Sequence, residues 1–242
     1  PLYIDSIGGS PMQIGLVMSV FMFSAILIRP LAGPMASKTD KKNLLVLGIT
    51  LCIFMSSSYA WAPGIIIILL VRLVHGLGFG MATTFYNTIA AEIIPPHRIG
   101  EGMSYFGVGG MAAIAIAPLF AIWLFNLFGF RNFFNIVTLI LLLPLALILF
   151  IPRKSSSVSK RIFVKPKLQF FEKQVLLQSL LIFLSGITAG GIWSFAALYA
   201  LEQNFTNIAW FLFTIAAANV MIRLLTGRLY DIKGPGFVLI PA

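Results

Sequence analysis

Ile65-Ile66-Ile67-Ile68-Leu69-Leu70-Val71 is apolar at every position. A strand of a membrane barrel alternates polar and apolar residues, and this stretch does not. The apolar character continues outward over 64–94, interrupted by Arg72, His75 and a scatter of polar residues leading to Glu92. A helix crosses a hydrocarbon core of about 30 Å in about 20 residues, because each residue rises about 1.5 Å. The segment therefore reads as a membrane-spanning helix with length to spare for tilt. Its Gly76-Leu77-Gly78-Phe79-Gly80 run permits close helix approach. No strand precedes that run, so it is not a nucleotide-binding glycine loop.

The same rule predicts seven complete spans, at 13–36, 43–62, 64–94, 103–128, 133–151, 175–201 and 207–230. Composition agrees. The 242 residues are 59% hydrophobic and 10% charged, with a mean hydropathy of +0.98, whereas soluble domains carry about 25% charged residues. Water could not solvate this surface, but lipid can. The predicted fold class is an all-α membrane protein.

A net charge of +10 would suit a nucleic-acid partner if the basic residues were clustered on one folded surface. Instead they sit in short loops. Lys38, Lys41, Lys42, Arg98, Arg153, Lys154, Lys160, Arg161, Lys165, Lys167, Lys173, Arg228 and Lys233 all fall in one alternate set of loops, and only Arg131 falls in the opposite set. This segregation predicts that the first set faces the cytoplasm of a cell membrane, beside anionic lipid, with no nucleic-acid partner. Residues 152–174 form a basic linker between a helical bundle over 1–151 and the start of a second over 175–242. The single cysteine, Cys52, excludes an internal disulfide and a cysteine metal cluster. No metal or cofactor is expected.

Ile28-Arg29-Pro30-Leu31-Ala32-Gly33 recurs 194 positions later as Ile222-Arg223-Leu224-Leu225-Thr226-Gly227. Both copies end a span and continue into basic residues and an aspartate. The first runs Gly33-Pro34-Met35-Ala36-Ser37-Lys38-Thr39-Asp40-Lys41-Lys42, the second Gly227-Arg228-Leu229-Tyr230-Asp231-Ile232-Lys233-Gly234. This resembles the loop motif after helix 2 of the major facilitator superfamily, Gly-x-Leu-x-Asp-Arg/Lys-x-Gly-Arg/Lys-Arg/Lys. In the first copy Ser37 replaces the aspartate and Asp40 the second glycine; the second keeps Asp231 and Gly234. Arg72-Leu73-Val74-His75-Gly76 is similar to that family's helix 4 motif Arg-x-x-Gln-Gly, with His75 in the glutamine place. Pro96-His97-Arg98 with Gly100-Glu101-Gly102 resembles its loop from helix 4 to helix 5.

The resemblance implies a two-bundle transporter in which the seven spans are helices 2 to 8, most of helix 1 is missing and the chain is a fragment. It implies alternating access to a midplane site, in a chain that acts as a monomer and is not an enzyme. It also implies a cytoplasmic latch made by Gly33, Lys38, Asp40, Lys41, Lys42, Gly227, Arg228, Asp231 and Gly234, with Asp231 the stronger carboxylate. Arg72 lies eight residues into its span, where a charge costs about 2.5–3.5 kcal/mol on insertion scales. Such a residue faces a cavity or a partner. Helical spacing puts Arg72, Phe79, Thr83 and Tyr86 on one face. Together with His75 and Glu92, and with Trp193 and Asn219 from the second half, they form the expected path for a small-molecule substrate and a coupling proton. Proton-coupled drug efflux is the first expectation. Helix 5 retains Pro118 of the efflux branch's motif but loses most of the flanking glycines, which leaves proton-coupled uptake as an alternative. A polytopic membrane enzyme and a nontransporting sensor are further alternatives. Seven scattered acidic residues and two distant histidines argue against the enzyme.

Overall fold

The computed structural model describes residues 3–4, 7–150, 176–188, 208–234 and 236–237. The described residues are mostly helical, with six α-helices: α1 (Pro11–Lys38), α2 (Lys41–Ser58), α3 (Ile65–Ile93), α4 (Ile99–Phe150), α5 (Leu176–Thr188) and α6 (Ile208–Lys233). Short 3-10 turns, Tyr59–Trp61 and Pro96–Arg98, follow α2 and precede α4. Four stretches among the described residues are long and apolar enough to cross a membrane: Met12–Lys38, Lys41–Trp61, Ile65–Ile93 and Trp123–Phe150. The expected all-α membrane architecture is therefore present. The linker 152–174 lies outside the described residues, as does much of the 175–201 span.

Local chemistry sets the boundaries. Helix α1 starts two residues before the predicted 13–36 span because Ser10 and Gln13 form a capping box. Ser10 Oγ accepts from the Gln13 amide at 3.3 Å, and Gln13 Oε1 accepts from the Ser10 amide at 2.8 Å. That exchange satisfies two amides that would otherwise be orphaned, and Pro11 at the first position has no amide to satisfy. Pro30 and Pro34 lie inside α1, as membrane helices tolerate. Within α4, Gly129 has φ of 71°, a left-handed conformation that glycine adopts without the Cβ penalty. It separates the predicted spans 103–128 and 133–151.

The chain divides into two compact units, one within 1–93 and 116–168, the other within 94–115 and 169–242. In the first, α1 and α2 both pack on α3, and its glycine run serves both neighbours. A Cβ on Gly80 would fall 2.9 Å from Ala25 Cα of α1, and one on Gly78 would fall 3.0 Å from the Gly48 carbonyl of α2. Alternate glycines thus let two helices approach opposite sides of α3. Phe85, Leu45 and Met81 are buried in one cluster, and Val17, Tyr59 and Ile68 in another. Large apolar side chains such as Ile66, Leu139 and Phe150 stay exposed, Phe150 by 85%, on surfaces suited to lipid.

Candidate functional site

The second unit holds the Gly227 copy of the repeat. Asp231, in the last turns of α6, turns its carboxylate to the first turn of α4. Oδ1 accepts from the Gly100 amide and Oδ2 from the Glu101 amide, both at 2.8 Å. The first amides of a helix have no partner in their own helix and carry the positive end of its dipole, so a carboxylate there is doubly favoured. Gly227 is buried one turn earlier, where a Cβ would fall 2.7 Å from the Gly100 carbonyl and from Ser104 Cβ. Only a residue without a side chain lets α6 come close enough for Asp231 to reach. Gly234 closes the element with φ of 81°, and its amide donates to the Tyr230 carbonyl at 3.0 Å, as a left-handed helix cap does. Arg228 is exposed and borders an open groove of about 490 Å³ with Glu101 and Tyr105. Glu101 also binds Arg98 Nε and Nη2 at 3.0 and 2.8 Å. Those bonds push the Arg98 pKa up from its ordinary value, which is already far above the physiological range.

The Gly33 copy is built differently. Lys38 is exposed at the end of α1. Asp40 caps α2, accepting from the Lys42 amide at 2.8 Å. Ser37, in the motif's aspartate place, donates to the Pro34 carbonyl at 2.7 Å in its own helix. Lys41 pairs with Glu92, and Lys42 Nζ donates to the Leu149 carbonyl at 3.1 Å. Gly33 has no atom of another described element within 4 Å of where a Cβ would stand.

Helix α3 carries the predicted path residues. Arg72 and His75, one turn apart, meet aromatic rings from two other elements. The Arg72 Cζ lies 5.4 Å from the Phe21 ring centroid and 5.3 Å from that of Tyr59, within cation–π range. His75 Nδ1 and the Tyr59 hydroxyl share a hydrogen bond of 3.2 Å, and the Phe21 ring meets His75 edge-on at 5.3 Å. No ion pair involves Arg72 among the described residues, and its buried Nε has no hydrogen-bond partner there.

Phe79 joins this group through Phe21, at 5.2 Å between centroids. Thr83 directs its hydroxyl back to the Phe79 carbonyl at 2.8 Å, and Tyr86 is exposed further along α3. Glu92 is 20 residues from Arg72, about 30 Å along the helix, and pairs with Lys41 instead of joining the cluster. Asn219 lies in the second unit, on α6. Trp193 lies outside the described residues. Phe21, Tyr59 and the Gly100 and Glu101 amides went unmarked as contact groups in the sequence. Tyr59 alone had a signal, a polar aromatic at the end of an apolar span.

A sequence model described as Major Facilitator Superfamily matches residues 1–242. An MFS-type transporter of Methanocaldococcus jannaschii, described as uncharacterized, is 26% identical over 99% of this chain and 64% of its own length. The multidrug resistance protein MdtG of Citrobacter koseri is 29% identical over 100% of this chain and 63% of its own. The quinolone resistance protein NorA of Staphylococcus aureus is 27% identical over 47% of this chain and 32% of its own. The chain thus spans less than two thirds of the length of these relatives. With a family match from its first residue to its last, set on apolar helices with charged residues at their ends, the chain belongs to the Major Facilitator Superfamily.

Proposed function

We propose that the chain forms part of a secondary transporter that moves a small organic solute or drug across the cell membrane by alternating access, exporting it in exchange for protons. Arg72 is the observation that carries this reading. A guanidinium inside an apolar helix is costly, and this one has no carboxylate partner among the described residues. It is held by aromatic rings, and its buried Nε donor is unused there. That arrangement suits a group that meets a solute or a coupling group during the cycle. The names of MdtG and NorA, as multidrug and quinolone resistance proteins, support export of drug-like solutes.

The carboxylate of Asp231 on the first turn of α4 supports a latch, a set of charge-assisted bonds that one state of the cycle makes and another breaks. The basic helix ends face the cytoplasm in this reading, the bundles divide at the 152–174 linker, and the transporter works as a monomer.

The test uses the full-length transporter in cells lacking their own pumps, with norfloxacin and ethidium as probes. Arg72→Ala is expected to abolish flux of at least one probe at unchanged membrane abundance. Unchanged flux of both probes removes Arg72 from the path. Reconstituted flux that ignores an imposed pH gradient overturns proton exchange. Accumulation in place of export establishes uptake, the second reading, to which the degraded glycine pattern around Pro118 points.

A further inference from the structure

Arg72 lies in an apolar helix without a carboxylate partner among the described residues. What surrounds it instead is a set of side chains from three elements. Phe21 comes from α1, Tyr59 from the turn after α2, and His75 from α3 one turn beyond Arg72 itself. The two rings stand at nearly equal distances from Cζ, 5.4 and 5.3 Å. Tyr59 is 4% exposed, and its ring is fixed from two sides, by the hydroxyl bond to His75 at 3.2 Å and by the Phe134 ring at 5.0 Å. An aromatic face attracts a cation through its quadrupole and takes up none of the cation's N–H donors. A carboxylate in the same place would occupy two of them.

We propose that Tyr59, braced by His75 and joined by Phe21 as a second ring, is a positioning residue that holds the Arg72 guanidinium while leaving its N–H donors free for an acceptor group of the transported solute. The proposal rests on the reading of Arg72 as a path residue. It adds residues that the helix 4 motif does not contain, and it gives His75 a role in holding Tyr59 instead of one in proton transfer. It also selects the solute class: a molecule with a carboxylate or carbonyl acceptor uses the free donors, whereas one without an acceptor does not.

The clamp has a spectroscopic signature that does not depend on transport. In the full-length transporter labelled with 15N at arginine Nε, the Arg72 Hε resonance, assigned by its loss in Arg72→Lys, is expected to be shifted by the two ring currents. Tyr59→Leu should remove the Tyr59 part of that shift, and Tyr59→Trp, which restores a ring, should recover it. For norfloxacin, which carries a carboxylate, Tyr59→Leu should raise KM about tenfold, the size of one cation–π contact, with kcat within twofold of the parent. Tyr59→Phe, which keeps the ring and loses the bond to His75, should fall between. Where Tyr59→Leu does not accumulate in the membrane, Phe21→Leu removes the other ring and carries the same expectations.

An Arg72 resonance unchanged by loss of either ring overturns the clamp. A resonance that moves while the norfloxacin KM stays constant overturns the positioning role but leaves Arg72 in the path. Flux of both probes that survives Arg72→Ala overturns the path reading, and the solute contact with it, even where the resonance shift is intact.

Discussion

In the Gly227 copy of the repeat the carboxylate lies four residues after the glycine, inside α6, and reaches across to the Gly100 and Glu101 amides of α4. In the Gly33 copy the fourth residue is Ser37, bonded within its own helix, and the carboxylate comes three residues later at Asp40, where it binds the Lys42 amide beside it. A carboxylate just ahead of a helix finds that helix's own orphan amides first, two residues away. One inside a helix has no such local donors, because those amides are already bonded, and it satisfies itself on a neighbour. The same arithmetic applies to the glycines. Gly227 is pressed against the Gly100 carbonyl, whereas Gly33 meets no other described element. One aspartate is a tertiary clasp and the other a local cap, and a shift of three residues is enough to make the difference.

The glycines give the largest expected contrast. Gly227→Val drives a side chain into the Gly100 backbone, and should lower stability by about 1–3 kcal/mol, read as a drop in the thermal midpoint of the purified full-length transporter. An unchanged midpoint would mean that α6 and α4 are not in close contact in the membrane. Next comes Asp231→Asn, which keeps one acceptor and loses the charge facing the α4 N-terminus. For two charge-assisted bonds at a half-buried site the expected loss is about 1–2 kcal/mol; on the proposed latch reading it is accompanied by a changed ratio of inward- to outward-facing states, read by distance measurements between spin labels.

Asp40 separates the two roles most sharply. Asp40→Ala should cost about 1 kcal/mol as an ordinary lost cap, whereas Asp40→Asn should cost almost nothing, because asparagine caps as well as aspartate. A large loss in Asp40→Asn would show that its charge matters beyond α2 and would erase the contrast between the copies. Gly33→Ala should stabilise α1 by about 0.5–1 kcal/mol, the helix-propensity gain where nothing is crowded; destabilisation would reveal a neighbour pressed on Gly33. The smallest effect belongs to Lys41→Met. It breaks an exposed pair with Glu92 and should change the midpoint by the equivalent of less than about 0.5 kcal/mol, with the difference vanishing in high salt.

The Arg72 group shows where reading along the chain succeeds and where it stops. Arg72 stands out because a charge in an apolar run is rare and costly, and the face it shares with Phe79 follows from helical period. Phe21 and Tyr59 do not stand out. The chain has 22 phenylalanines and six tyrosines, and an aromatic residue in an apolar span is ordinary packing until its distance to a cation is known. Glu92 illustrates the converse. Its place on α3 suggests the path, but at the far end of that helix it pairs with Lys41, the first residue of α2, because long charged side chains at helix ends seek each other or water.

By itself the sequence determined the membrane environment, the helical class, the duplicated motif and the residues able to carry charge. Each of these depends on composition, on period or on matches between segments, and all three can be read along one dimension. Tertiary structure alone decided that Asp231 caps another helix while Asp40 caps its own, and that two aromatic rings stand around Arg72. These are choices among partners far apart in the chain: residues 100 and 231, or 21, 59 and 72. They turn on which backbones can approach within hydrogen-bonding or ring-contact distance, and a close approach such as that of Gly227 to Gly100 exists only once the helices are packed.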